Sequence, residues 1–318
     1  MYQWFLFCQI SRADPIGHVV PMKKFLLYSA ALGLCAAIGW LMIAGMRMRR
    51  PVRPVYPVSR HIQYAFTLHN RTNRVVKGVV FRTRGPVKQT AAQLCVHLES
   101  SHPYRLLADG LGNRILSFDL DDFPPYATRV IQITADLRLS AVPNRLSGKE
   151  EDIAAFLRPQ PYCESDHPDI RALAKRLKGP GPAQTAENIF RWVSDNVQYS
   201  GYLKHARGAL YALREKKGDC TEFMYLFAAL CRASHIPARC IGGYVCPKNM
   251  ILKPAGYHNW AECRLDNRWW IADPLTGTFR KTPARYIAMR IIPPVLDDPA
   301  SRFNRFSVKG EGIEATMN

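Results

Sequence analysis

Cys220, His258 and Asp273 are the residues of this chain whose types and surroundings could together carry out nucleophilic chemistry. Cys220 lies in Gly218-Asp219-Cys220-Thr221-Glu222-Phe223, where Asp219 is a good helix N-cap and Glu222, three residues on, can complete a capping box. That pattern predicts a helix beginning at Cys220. A thiol there meets unpaired amide N–H groups and the positive end of the helix dipole, both of which stabilise a thiolate. A base is available in Tyr257-His258-Asn259-Trp260-Ala261-Glu262-Cys263, which reads as a strand with His258, Trp260 and Glu262 on one face. An orienting carboxylate is available in Arg268-Trp269-Trp270-Ile271-Ala272-Asp273-Pro274, a second strand reached through a tight turn at Asp266-Asn267. With the Cys helix packed on such a hairpin, His258 takes the thiol proton, Asp273 sets the imidazole tautomer and the thiolate attacks a carbonyl. Glu262 is expected to pair with a neighbouring base or brace the sheet.

Each residue alone has an ordinary structural explanation: a helix-start cysteine, a strand histidine, an aspartate before proline. Their combination is more specific. GDCTEF, then LFAALCRASHIPARCIGGYV, then YHNWAEC, then WWIADP resembles the transglutaminase-like superfamily, which includes animal transglutaminases, peptide N-glycanases and many bacterial proteins. The resemblance covers about residues 186–274, with its motifs in order. It implies a papain-like α+β core with Cys220 as nucleophile, His258 as base and Asp273 as orienting acid. For the oxyanion and substrate contacts, the Cys220 N–H is one donor, and Trp192, Gln198, Tyr199 and Trp260 are the side-chain candidates. The calcium sites of animal transglutaminases have no counterpart here as acidic clusters. Cys163-x3-His167 and Cys240-x5-Cys246 are too incomplete for a zinc site, so neither a metal nor a cofactor is expected.

The elements that must position these residues are visible in the patterning. Helical texture runs over 150–157, 169–177 and 185–196, where Ala186, Ile189, Phe190, Val193 and Val197 fall at helical spacing. Residues 238–245 read as a buried strand. Upstream, between about 63 and 139, the pattern is strand-like: Leu94, Val96 and Leu98 alternate with Gln93, Cys95, His97 and Glu99, and Ile131, Ile133 and Ala135 do likewise. Turn signals at 70–73, Gly85-Pro86, Asp109-Gly110, Gly112-Asn113 and Pro124-Pro125 give the spacing of a small β-sandwich.

The 318 residues are 47% hydrophobic and carry a formal net charge of +19, of which +5 falls in the first fifty positions. That excess suits an anionic membrane surface or an acidic polymer. With no aromatic-interleaved basic motif, zinc finger or RNA-binding signature beside it, specific nucleic-acid recognition is not expected. Residues 25–46 contain no charged side chain and are long enough to cross a bilayer as a helix. Met22-Lys23-Lys24 before them and Arg47, Arg49, Arg50 and Arg53 after them give conflicting orientation cues, with a lean to the extracytoplasmic side. Setting aside Cys8, Cys35 and Cys220, six of the nine cysteines (Cys95, Cys163, Cys231, Cys240, Cys246 and Cys263) could bridge or stay reduced.

The expected architecture is therefore a tail (1–24), a transmembrane or signal-anchor helix (25–46), a Pro/Arg-rich linker (47–61) and an all-β sandwich (62–140). An α+β transglutaminase-like catalytic domain (148–290) and a C-terminal tail (291–318) follow. The expected activity is acyl transfer on amide bonds of peptides or proteins, a cell-envelope polymer among the candidate substrates, in a single-pass protein of the bacterial inner membrane. Hydrolysis is favoured over transglutamination, since water needs no acceptor pocket. The alternative is a catalytically silent scaffold of the cell envelope. Oligomeric state is not legible.

Overall fold

Six strands alternate through the first half because their apolar residues recur every second position. They are β1 (Val58–Asn70), β2 (Val79–Gly85), β3 (Gln93–Ser100), β4 (Arg105–Ala108), β5 (Arg114–Leu120) and β6 (Thr128–Leu139). The structure is a computed structural model that describes residues 53–146, 153–293 and 303–318. The apolar segment 25–46 and residues 47–52 of the linker lie outside the described residues, and the end of the expected linker, from Val58 to His61, is already strand β1. Among the described residues no helix is long and apolar enough to cross a membrane.

In β1, Ile62, Tyr64, Phe66 and Leu68 point inward, and β6 faces them with Ile131, Ile133, Ala135 and Leu137. A second sheet supplies Val79, Phe81 and Phe118 to the same core. In β3 the inward side chains are Gln93 and Cys95, whereas Val96 is exposed. A bulge between Cys95 and His97 shifts the register, and the Gln93 amide is held inside by hydrogen bonds to Val87 O, Ala288 O and Ala288 N. Alternation identified the strand; satisfaction of a buried polar group chose its face.

The stretch beyond 291, expected as a tail, instead completes both sheets. β15 (Phe306–Lys309) pairs antiparallel with β2, and β16 (Ile313–Met317) pairs antiparallel with β1. Each covers an edge that would otherwise leave a row of unpaired amides. β10 (Met250–Ile251) adds a short parallel pairing to β1. The sandwich core runs on into Tyr244, Leu252, Ile287 and Met289, so residues 54–318 fold as one compact unit instead of two separable domains.

The site is built on a third sheet, ordered β13-β12-β11-β9-β14, from β9 (Ala238–Val245), β11 (Tyr257–Leu265), β12 (Arg268–Asp273), β13 (Thr278–Phe279) and β14 (Tyr286–Ile292). The β11–β12 hairpin closes with Asp266 and Asn267 both at positive φ, 52° and 61°, as a two-residue primed turn requires. Four helices cover one face: α1 (Pro168–Arg176), α2 (Pro182–Asn196), α3 (Ala209–Glu215) and α4 (Cys220–Ala233). α3 had no periodic signal, being only two turns between Gly208 and the left-handed Lys216. Of the helix expected over 150–157, residues 150–152 are outside the described part, and the rest ends in a 3-10 turn, Ala155–Leu157.

α4 is buried on nearly every side, with Leu226, Phe227 and Leu230 fully enclosed, each contributing about 1.5–3 kcal/mol of apolar burial. It packs between α1, α2 and the sheet residues Ala261, Cys263 and Ala272. Against the other face of the sheet lie Val87 and Phe156, in contact with Ile241, Trp260, Ile271 and Tyr286. Glu262 braces this sheet, as expected. It forms a buried ion pair with Arg239 at 2.6 Å, and the guanidinium lies 4.4 Å over the Trp269 ring.

Candidate active site

The start of α4 has the anticipated capping box. Asp219 Oδ1 accepts from the Thr221 N–H at 2.7 Å, and Glu222 Oε2 accepts from the Asp219 N–H at 3.1 Å. The same two carboxylates have a second task that spacing did not reveal. Asp219 Oδ2 takes the Leu203 N–H at 2.9 Å and Glu222 Oε1 takes the Arg207 N–H at 2.8 Å, which pins the 200–208 loop against the helix start. Glu222 is fully buried, and its pKa is raised by burial, against which its backbone hydrogen bonds act. The Cys220 N–H has no acceptor among the described residues, so it remains available to a substrate oxygen.

His258 and Asp273 reach one another across the β11–β12 hairpin. The register pairs Ala261 with Ala272, which sets Asp273 diagonally beside His258. His258 Nε2 and Asp273 Oδ2 are 2.7 Å apart. With Nε2 committed there, Nδ1 is the ring nitrogen left for the Cys220 thiol, whose interaction with the imidazole contributes to its raised pKa. Burial pushes the His258 pKa down, but its hydrogen bonds to Asp273 and Cys220 and their negative charge outweigh it, and the pKa is pushed up to about 9. Asp273 is only 1% exposed. It is further fixed by Tyr286, whose hydroxyl donates to Oδ2 at 2.9 Å, and by the Thr276 N–H at 3.4 Å to Oδ1.

Tyr286 and Asn259 are site residues that sequence reasoning missed. Tyr286 belongs to β14, at the far edge of the sheet from β13, and crosses the face against Trp260 with ring centroids 5.1 Å apart. No spacing rule links it to Asp273. Asn259 follows His258 directly; its Nδ2 donates to Thr221 Oγ1 at 3.0 Å and approaches Cys220 Sγ at 3.7 Å. Room for it comes from Gly242, where a Cβ would lie 2.2 Å from the Tyr257 hydroxyl and 3.1 Å from Asn259 Oδ1.

The four side chains expected at the oxyanion and substrate positions separate. Tyr199 is exposed and lines the cavity that contains Cys220. Gln198, its neighbour on β7 (Gln198–Tyr199), which pairs in parallel with β8 (Lys217–Gly218), is not part of that lining, as alternation along a strand dictates. Trp192 is covered by Lys216, whose Nζ lies 4.1 Å from the ring centroid, and packs on the helical core. Trp260 is 1% exposed and stacks behind His258 at 6.4 Å, so it supports the imidazole and has no access to substrate.

The cavity measures about 830 Å³. Asp219, Cys220, Thr221 and Asn259 form one side, Tyr199, Tyr202, Leu203, Lys204 and Ala206 another, and Tyr257, Arg290 and Arg305 a third. All seven described cysteines are free thiols, and the buried Cys163 thiol donates to the Tyr225 carbonyl at 3.8 Å. No group of three or more His, Cys, Asp or Glu side chains among the described residues is arranged to hold a metal.

Residues 171–274 match the transglutaminase-like superfamily. In structure, the chain resembles a candidate cysteine protease from Cytophaga hutchinsonii, with a TM-score of 0.53 and 21% identity over 82% of this chain and 92% of that one. That likeness establishes a shared fold. The periplasmic domain of TgpA from Pseudomonas aeruginosa aligns with a TM-score of 0.39 and 15% identity, over 68% of this chain and 90% of that one. No curated protein matches the sequence.

Proposed function

We propose that the transglutaminase-like domain of residues 171–274 works as a cysteine acyl-transfer enzyme on amide bonds of peptides or proteins, with Cys220 as nucleophile, His258 as acid and base and Asp273 as orienting group. The observation that carries this reading is the 2.7 Å contact of His258 Nε2 with Asp273 Oδ2, which leaves Nδ1 to the thiol at the open end of α4. The Cys220 thiolate adds to the amide carbonyl, and the oxyanion takes the Cys220 N–H. The His258 imidazolium then returns the proton to the leaving amine, the C–N bond breaks and a thioester remains. His258 next removes a proton from water, and hydrolysis releases the carboxylic acid and the free thiol.

Hydrolysis is favoured over transfer to a second amine because it needs no acceptor pocket. Asn259, with its amide beside the sulfur, is the side chain best disposed to add a second contact to the oxyanion. The uncharged stretch 25–46 extends the proposal to a membrane-anchored, single-pass enzyme with its domain on the extracytoplasmic side. Iodoacetamide at neutral pH tests the chemistry. Cys220 should be alkylated far faster than the buried cysteines, and His258→Ala should slow it; a rate equal to that of an ordinary exposed thiol, unaffected by the variant, would refute the activated nucleophile.

A further inference from the structure

The cavity carries more positive charge than the steps at Cys220 require. Arg290, on β14, is 8% exposed. Its Nη1 finds only the Phe303 carbonyl, at 3.4 Å, and its Nε is buried with no acceptor among the described residues. Arg305 gives Nη1 to the Pro254 carbonyl at 2.9 Å and lies 5.4 Å over the Tyr257 ring. Lys204 projects from the facing loop. No carboxylate among the described residues lies within ion-pair distance of either arginine. The one carboxylate in the lining, Asp219, has both oxygens occupied by backbone N–H groups.

A guanidinium taken out of water without an anion is costly, and burial holds Arg290 below the usual guanidinium range. Such a group is satisfied by an anion that arrives with the ligand, and its planar fork matches a carboxylate. Tyr162, Tyr199 and Tyr202, 47%, 59% and 78% exposed, give the same cavity an aromatic rim suited to peptide backbone and side chains.

We propose that Arg290 and Arg305 hold a carboxylate of the substrate, so that this site acts on peptides bearing a negative charge near the amide that Cys220 attacks. The inference rests on the reading of Cys220 as nucleophile. The carboxylate is supplied either by the peptide's C-terminus or by an acidic side chain, and both present the same two oxygens.

The test uses the full chain with Cys220→Ala, which prevents turnover, and three dansyl-labelled hexapeptides of otherwise identical neutral sequence. One ends in a free carboxylate, one in an amide, and one in an amide with a single internal glutamate. At least one charged peptide is expected to bind about tenfold more tightly than the neutral one, and the preferred charged peptide identifies the source. Adding Arg290→Gln should reduce that preference to about twofold, and Arg305→Gln, at a less buried position, should reduce it too. Equal binding of all three peptides would overturn the proposal. So would a preference that survives both substitutions in variants whose melting temperature matches the parent. Alkylation of Cys220 in the unsubstituted protein is read separately: slow labelling with intact carboxylate preference removes the nucleophile and keeps the anion site, and the converse removes the anion site alone.

Discussion

Tyr286 donates its hydroxyl to Asp273 Oδ2 at 2.9 Å, the same oxygen that meets His258 Nε2. The carboxylate is thus held from β14 as well as from its own hairpin, and Tyr286 acts on the imidazole only through Asp273. Burial raises the Tyr286 pKa to about 12, with the Asp273 charge adding to it, so the phenol stays a donor throughout the working range.

Tyr286→Phe removes that donor and keeps the ring on Trp260. The remaining Asp273 charge then falls more fully on His258, so its pKa rises further and the alkaline limb of kcat/KM moves to higher pH. Stability should fall by about 1 kcal/mol, the usual net worth of a buried hydrogen bond. A lowered melting temperature with an unmoved pH profile would assign Tyr286 a packing role alone.

The raised His258 pKa sets a pH dependence of known sign. Its pairs with Asp273 and Cys220 favour the protonated ring, so their contribution to stability is complete below the ordinary histidine value of 6.5. That contribution is progressively lost as pH rises and is gone above about 9. Urea unfolding at pH 6, 8 and 10 should show a falling midpoint, flattened in His258→Ala. Amide hydrolysis needs the imidazolium to protonate the leaving amine, so kcat/KM should decline above about pH 9, while alkylation of Cys220, which needs no proton, should not.

The places of Cys220 at a helix start and of His258 and Asp273 on paired strands were legible because each is fixed by a local rule: a capping box, a strand period and a two-residue turn. What was not legible depends on partners distant in sequence. Gln93 turns inward because its amide meets Ala288, and β15 and β16 leave the expected tail because edges of β2 and β1 need covering. Trp260 shares the His258 face, as strand alternation requires, yet that face is closed by Tyr286 from β14. Alternation reports which residues share a side; the packing of other strands decides whether that side meets substrate.

Asp219 separates two functions that one substitution can divide. Asp219→Ala removes both the cap on Thr221 and the hold on Leu203, and should cost about 1–2 kcal/mol. Asp219→Asn retains one oxygen for the cap, so it should be milder in stability while still releasing Leu203. Limited proteolysis within 200–208 should therefore rise in both variants. Cleavage at the wild-type rate in Asp219→Asn would mean that the loop is held by its own packing.

Gly243 ties the fold to the site most directly. It faces Ala288 across the β9–β14 pairing, and a Cβ there would lie 2.0 Å from the Ile287 carbonyl oxygen and 2.7 Å from the Trp260 ring. The first neighbour is backbone, so it cannot be relieved by a rotamer change; β14 must move away from β9. That displacement carries Tyr286 off Asp273 and disturbs the ring that stacks on His258, so Gly243→Ala should lower stability by about 1–3 kcal/mol and kcat/KM together. Tyr286→Phe placed on top of it should then add little to the loss of kcat/KM, because the hydrogen bond it removes has already been broken. Full additivity of the two substitutions in kcat/KM would show that β14 absorbs the methyl without shifting Tyr286.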